Sequence, residues 1–318
     1  MPYRLFLLWV ICSILITGCG QTASRSPEDL ANRTIRVVAT TSMIADLVRN
    51  VGGDRVEVTG LMGPGVDPHL YKASEGDVMR MASADVIFYN GLHLEGKMSE
   101  IFEQMEQRGI PTFAITEGID STKYRPSAQF QGNYDPHVWF DVSLWMEAAH
   151  YVAEALASLD PAHADVYRAN AEAYIEQLKE LDAYVRQRVA EVPESLRVLI
   201  TSHDAFGYFG RAYGFEVRGL QGISTATEAG TADVQALADF VASRRIPALF
   251  VESSVSPRGI EAVREAVRAR GYEVKIGGTL YGDALGSPDS PAGTYIGMVR
   301  HNVDTITSAL LGGDEASP

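Results

Sequence analysis

The sequence predicts an α/β fold of two lobes, each a parallel sheet flanked by helices, joined by one long connecting helix. Strand and helix patterns alternate in both halves of the chain, which is typical of parallel sheets with helices on both faces. Without its first 33 residues, the 318-residue chain is still longer than one hydrophobic core usually supports. A long amphipathic stretch without a strand pattern lies between the two alternating regions.

The N-terminus has the pattern of a bacterial lipoprotein signal peptide, predicted for residues 1–18. Arg4 precedes an apolar run at 5–16, and Ile16-Thr17-Gly18-Cys19 has the form of a lipoprotein cleavage site. The apolar run is too short to span a bilayer comfortably. Cys19 would be the lipidated first residue of the mature protein, and the polar residues 19–33 would form its tether. The alternative is a cleaved secretory protein with a coincidental cysteine.

The first lobe is predicted to span residues 34–161. Its strands are expected at 35–39, 56–58, 86–89 and 111–115, and its helices at 43–51, 75–82 and 97–107. Ser42 is expected to cap the first of these helices, and Gly52-Gly53 to end it. A loop rich in Ser, Gln, Gly and Asn follows at 118–134.

The connecting helix is predicted at residues 162–192. Its apolar residues recur at spacings of four and three, at Tyr167, Ala171, Tyr174, Leu178, Leu181, Val185 and Val189. Pro193 ends the pattern. A continuous helix of this length would be about 45 Å long. The helix could pack on one lobe alone, but its position midway along the chain favours a stiff connector between both.

The second lobe is predicted at 193–318 and repeats the alternation. Strands are expected at 198–201, 217–220, 248–251 and 273–276, and helices at 205–213, 231–244, 257–270 and 294–311. Thr231 is the expected N-cap of the second of these helices.

Three histidines and one aspartate form a candidate metal site. Asp67-Pro68-His69 recurs as Asp135-Pro136-His137, His203 follows an apolar strand, and Asp283 lies in a loop. Imidazole is the commonest metal ligand in proteins, and three nitrogens with one carboxylate suit a four-coordinate divalent cation. Taken singly, each could be an ordinary polar loop residue.

The predicted topology brings these four side chains to one place. Ligands of open parallel sheets bind outside the carboxyl ends of the strands, and all four candidates follow strands. His69 and His137 belong to the first lobe, and His203 and Asp283 to the second. The sequence therefore predicts one metal ion per chain in the cleft between the lobes.

The remaining patterns argue against catalysis and against nucleic-acid binding. Four protein ligands fill a tetrahedral shell, whereas a catalytic zinc keeps a position open for water. No His-Glu-x-x-His or Gly-x-Ser-x-Gly motif is present. A formal net charge of −14 lacks the basic face that nucleic acids require. Of the other histidines, His93 is the strongest alternative ligand, and His150, His163 and His301 are expected to have structural or surface roles.

The chain resembles the bacterial solute-binding protein family 9, the zinc- and manganese-binding receptor lipoproteins of metal ABC transporters. The matching segments span nearly the whole mature chain: Gly63-Pro64-Gly65-Val66-Asp67-Pro68-His69, Tyr89-Asn90-Gly91-Leu92-His93-Leu94-Glu95, Asp135-Pro136-His137-Val138-Trp139, Thr201-Ser202-His203-Asp204-Ala205-Phe206, Gly222-Ile223-Ser224-Thr225, Val251-Glu252-Ser253-Ser254 and Tyr281-Gly282-Asp283. The resemblance implies that His69, His137, His203 and Asp283 are the metal ligands. It also implies a monomeric receptor at the cell envelope, anchored through Cys19, that delivers its ion to an ABC permease and its ATPase.

The identity of the transported ion depends on features that point in different directions. Members of the family with glutamate in place of His203 resemble manganese receptors, and zinc receptors often carry a His-rich loop that is absent here. Three imidazoles favour zinc, with manganese next and iron third. Two other classes are expected to fit less well: a surface adhesin-type lipoprotein, and a receptor for a chelated ligand such as a siderophore or cobalamin.

Overall fold

The computed structural model describes residues 27–127 and 133–313. The predicted signal peptide, Cys19 and the first part of the predicted tether lie outside the described residues, as do residues 128–132 of the loop predicted at 118–134. Within the described ranges, no helix is both long enough and apolar enough to cross a membrane.

The first lobe is built on a four-stranded parallel sheet of order β2-β1-β3-β4. Its strands are β1 Ile35–Ala39, β2 Val56–Gly60, β3 Val86–Tyr89 and β4 Thr112–Ala114. Its helices are α1 Pro27–Ala31, α2 Ser42–Gly52, α3 Glu75–Ser83, α4 Ser99–Gln107 and α5 Val142–Leu159. The central strands β1 and β3 are almost wholly buried, whereas the edge strand β2 is half exposed. The alternation predicted for this lobe is confirmed.

The cap of α2 is one residue earlier than predicted. Thr41, not Ser42, is the N-cap, and its side-chain oxygen accepts a hydrogen bond from the Ile44 N–H at 3.4 Å. Ser42 is the first residue of the helix, and its hydroxyl oxygen instead accepts the Leu285 N–H of the second lobe at 2.9 Å. A local capping rule cannot foresee this contact, because Leu285 is distant in sequence.

Helix α5 corresponds to none of the helices predicted above. Its inner face is apolar, with Trp145, Ala149 and Val152 buried. Its outer face is a polar stripe at spacings of four and three, formed by Ser143, Glu147, His150, Glu154 and Ser158. The helix therefore has the one-sided pattern typical of a surface helix, which the sequence could have shown.

The long connecting helix is α6, Ala164–Ala190. All seven apolar positions predicted to form its inner face are buried, together with Ile175. It packs against α2 and α5 of the first lobe. It also packs against two helices of the second lobe, α7 Gly207–Tyr213 and α10 Tyr295–Leu310. The connector interpretation is therefore confirmed, and the helix contributes to the core of both lobes.

The second lobe contains two parallel strand pairs. They are β5 Val198–His203 with β6 Glu216–Gln221, and β7 Ala248–Glu252 with β8 Lys275–Leu280. Its two other helices are α8 Thr231–Arg244 and α9 Arg258–Arg268. Strand β5 also lies beside β7, so the two pairs are neighbours.

Two details of the second lobe differ from the prediction. Strand β8 begins two residues later than expected and continues through Gly277, where an added Cβ would lie only 2.6 Å from the Ala309 Cβ. Glycine is needed there because α10 packs closely on the strand. Gly230, not Thr231, is the N-cap of α8, and its N–H donates to the Asp233 carboxylate at 2.8 Å.

One hydrophobic core runs through both lobes. It contains residues of α2, α5, α6 and α10, and Trp145 of the first lobe stacks on Tyr295 of the second with ring centroids 5.0 Å apart. The Tyr295 N–H donates to Asp46 of α2 at 3.0 Å. Helix α1 adds to the body as well, since Leu30 is buried, so residues 27–31 of the predicted tether are part of the fold. The lobes are thus joined by packing as well as by α6.

Candidate metal centre

The four predicted ligands all lie beyond the carboxyl ends of strands. His69 is in the loop after β2, and His137 follows β4 at the start of a short 3₁₀ turn. His203 is the last residue of β5, and Asp283 comes three residues after β8. The two lobes present these ends to one another, so two side chains arrive from each lobe.

The structure brings the four side chains into one cluster. One possible ligand atom from each lies within 4.8 Å of all the others. The Nε2 atoms of His69 and His137 are 3.2 Å apart. The Asp283 carboxylate lies 3.3 Å from the His203 Nε2 and 3.4 Å from the His137 Nε2. These spacings leave a small central position that one ion can occupy.

The cluster is almost completely shielded from solvent. His137 and His203 are 0% exposed, Asp283 is 1% exposed and His69 is 5% exposed. Both Asp283 carboxylate oxygens and the His203 Nε2 lack a hydrogen-bond partner among the described residues. Buried polar atoms are normally satisfied, so these unsatisfied atoms fit a bound cation.

Two carboxylates outside the cluster orient its histidines. Asp135 Oδ1 lies 2.7 Å from the His137 Nδ1. Glu252, the last residue of β7, has its Oε2 2.9 Å from the His203 Nδ1, and its Oε1 accepts the His203 N–H at 2.9 Å. Such outer carboxylates fix the ring orientation and raise the basicity of metal-binding histidines. Sequence reasoning gave no role to Glu252, because nothing in its local pattern shows that it faces His203.

A glycine and a tryptophan place the Asp283 loop. A Cβ on Gly282 would lie 2.2 Å from the Glu252 Oε2, so a larger residue there would push the Glu252 carboxylate away from its place beside His203. The Trp139 indole N–H donates to the Gly282 carbonyl at 3.1 Å. This bond joins the chain beside His137 to the chain beside Asp283, and hence the two lobes.

The four groups of the cluster differ in the direction in which their surroundings shift their pKa. Burial lowers the pKa of His69 to about 3, against the attraction of Asp283. Burial also lowers the pKa of His137, but Asp135 and Asp283 outweigh it and raise the pKa to about 9. For His203 the same opposition, with Glu252 and Asp283 as the anions, leaves the pKa raised well above its usual value. Burial raises the pKa of Asp283, yet His203 and His137 hold that pKa well below its usual range.

The other histidines lie outside the cluster. His93 is exposed and borders the interlobe cleft, His150 is beside Glu172 on the surface, and His163 pairs with Asp160. The His301 ring donates to the Thr279 carbonyl at 3.0 Å. His69 is the one cluster member that lines the cleft, whose volume is about 1130 Å³.

Comparisons with known proteins agree with this architecture. The family described as zinc-uptake complex component A, periplasmic, matches residues 37–309. The zinc-binding protein TroA of Treponema pallidum is 51% identical over 296 residues, covering 93% of this chain and 95% of that protein. The manganese-binding lipoprotein MntA of Bacillus subtilis is 47% identical over 301 residues, covering 95% of this chain and 97% of that protein.

A solved structure extends the similarity to three dimensions. The periplasmic zinc-binding protein TroA from Treponema pallidum superposes with a TM-score of 0.84 at 50% identity, and the match covers 87% of this chain and 99% of that one. The family match spans most of the chain, and the two relatives are each far above 30% identity. The chain therefore belongs to the family of periplasmic zinc-uptake components, the solute-binding protein family 9.

Proposed function

We propose that this protein is the extracytoplasmic receptor of a metal ABC transporter, and that it binds one divalent transition-metal ion through His69, His137, His203 and Asp283. The observation that carries the proposal is the buried cluster, in which four ligand atoms lie within 4.8 Å of one another. Because each lobe supplies two ligands, neither lobe holds a complete site. Metal binding then adds directly to the stability of the closed, assembled form.

Zinc is the favoured ion and manganese the next. Three imidazoles and one carboxylate are a nitrogen-rich set that suits zinc, whereas manganese prefers oxygen donors. The relatives include one named for zinc and one named for manganese, so their names support both ions. The orienting carboxylates Asp135 and Glu252 strengthen the imidazole donors.

A receptor role accounts for the site better than a hydrolytic one. The four protein ligands close a tetrahedral shell, and a catalytic zinc needs a free position for water. In a chelated ligand the chelator surrounds the metal. Here His137, His203 and Asp283 are at most 1% exposed, and the cleft of about 1130 Å³ reaches the cluster only at His69. We therefore assign the cluster to a bare ion that is carried to the permease and its ATPase.

Metal analysis of purified protein tests this proposal. We expect one equivalent of zinc or manganese per chain after the protein is isolated without added metal, and competition between the two ions to favour zinc. Size-exclusion chromatography with light scattering is expected to show a monomer. A metal content near zero that does not rise on addition of either ion would refute the receptor assignment.

Cys19 is proposed as the acylated anchor, with the first 18 residues removed as a signal peptide. The relatives include a protein named as a lipoprotein, and Ile16-Thr17-Gly18-Cys19 has the cleavage-site pattern. We expect Cys19→Ala to abolish lipidation, so that the protein no longer remains with the membrane fraction. Cys12→Ala is the matched control, because that cysteine would leave with the signal. Equal membrane retention of the Cys19→Ala protein would contradict the assignment.

We further propose that the chain functions as three parts: a first lobe at 34–161, a linking helix at 162–192 and a second lobe at 193–318. The position of α6, Ala164–Ala190, supports a linking helix between the two lobes. The shared hydrophobic core implies that the lobes move little against each other when the ion enters or leaves.

A further inference from the structure

Thr225 makes a hydrogen bond across the interlobe cleft. It belongs to Gly222-Ile223-Ser224-Thr225, between β6 and α8, a segment that borders the cleft and has no role in ligating the ion. The Thr225 side chain is 7% exposed, and its hydroxyl donates to Asp67 Oδ2 at 2.5 Å. Asp67 is in the first lobe, so this bond joins the two lobes at the entrance to the site.

Asp67 also holds the backbone of a metal-site histidine. Its Oδ1 accepts the His69 N–H at 2.8 Å. The carboxylate therefore contacts the His69 loop with one oxygen and the second lobe with the other.

The second Asp-Pro-His tripeptide shares one of these two contacts. Asp135 Oδ1 accepts the His137 N–H at 3.0 Å, but the second lobe is contacted by the backbone carbonyl of Asp135, which accepts the Tyr208 hydroxyl of α7 at 2.9 Å. The aspartate side chain of each tripeptide thus holds the backbone of its own histidine, which gives a physical reason for the repeated aspartate. Of the two aspartates, Asp67 is the one whose carboxylate also reaches the second lobe.

The three histidines of the cluster differ in how firmly their rings are held. His137 has Asp135 beside its Nδ1, and His203 has Glu252. The His69 ring has no such outer carboxylate in the described part of the chain, and its ion-pair neighbour there is the cluster member Asp283 at 3.9 Å. His69 is also the most exposed of the four and lines the cleft. Its position therefore depends most on the backbone contacts of its loop.

We propose that Thr225 is a positioning residue for His69, and that the Thr225–Asp67 hydrogen bond slows release of the ion by holding the His69 loop against the closed second lobe. This inference rests on the proposed function of the cluster. A hydrogen bond to a charged carboxylate is stronger than one between neutral groups. Because the bond holds the His69 loop in its closed position, its loss should speed dissociation of the ion more than it slows association.

Stopped-flow kinetics with zinc as the probe tests the proposal in the full chain. Trp139, whose ring centroid lies 5.2 Å from that of His137, provides the fluorescence signal. Zinc-loaded protein is mixed with excess chelator to obtain the dissociation rate, and apo protein with zinc to obtain the association rate. We expect Thr225→Val, which keeps the side-chain shape, to dissociate roughly tenfold faster with a nearly unchanged association rate.

Two further variants separate positioning from general damage. Thr225→Ser restores the hydroxyl and is expected to dissociate at the wild-type rate within about twofold. Thr227→Val makes the same change at an exposed position of the same loop and is expected to behave as wild type. Thr225→Ala removes the hydroxyl without adding an apolar methyl group to the site, so it provides the measurement if the valine variant does not fold.

Three results would overturn the inference. One is a dissociation rate for the valine and alanine variants equal to that of Thr227→Val. Another is a Thr225→Ser variant that dissociates as fast as the valine variant. A third is a change in which only the association rate falls. A wild-type chain that binds neither zinc nor manganese would overturn the proposed function itself, which distinguishes that failure from failure of the positioning role.

Discussion

His203→Ala is expected to abolish tight metal binding and the thermal stabilisation that accompanies it. His203 is 0% exposed and contributes a ring nitrogen 3.3 Å from the Asp283 carboxylate. Its removal leaves two histidines and leaves the Glu252 carboxylate buried without its imidazole partner. For the wild type, zinc at about a thousand times its dissociation constant should stabilise the fold by roughly 4 kcal/mol. The variant should show almost none of this stabilisation at the same concentration.

Thermal melts with and without zinc measure this effect, and titration calorimetry gives the stoichiometry. His150→Ala is the matched control, because His150 is a surface histidine beside Glu172 and lies outside the cluster. We expect the control to retain one site and the full melting shift. If zinc raised the melting temperature of His203→Ala as much as that of the wild type, or if the wild type had more than one tight site, the assigned ligand set would be wrong.

Metal affinity is expected to rise steeply with pH up to about pH 9. In the apo protein the pKa of His137 is raised to about 9 and that of His203 is raised well above its usual value, so both rings hold protons at pH 7. His69, whose pKa is lowered to about 3, is already neutral. An incoming ion must therefore displace two protons, and the affinity should change by up to about a hundredfold per pH unit over this range.

The stability of the apo protein should follow the opposite trend. The folded-state pKa of His137 lies above its unfolded value, so its pairing with Asp135 and Asp283 stabilises the fold fully below about pH 6.5. This contribution is lost as the pH rises towards 9, while the metal-induced melting shift grows. Calorimetric titrations in buffers of different ionisation enthalpy count the released protons. An affinity that is constant between pH 6 and 9 would show that the rings are neutral before the ion arrives.

Local sequence patterns determined most of the elements and the membership of the site. The strand positions followed from short apolar runs, and the inner face of α6 followed from spacings of four and three. His69, His137, His203 and Asp283 could be grouped because each follows a strand, and parallel strands place their carboxyl ends at one edge. That grouping uses only residue order and a general rule of topology, so no contact had to be known.

Contacts between distant residues decided the rest. The polar stripe of α5 can be read from the sequence, but only the structure shows that its apolar face enters the core shared by both lobes. The orienting role of Glu252 depends on β7 lying beside β5, and the Thr225–Asp67 bond depends on the second lobe closing over the His69 loop. Periodicity and capping rules act over a few neighbouring residues, whereas these contacts join positions 49 and 158 residues apart. Only the packed chain brings such positions together, and so only the tertiary structure determines how the ligands are held.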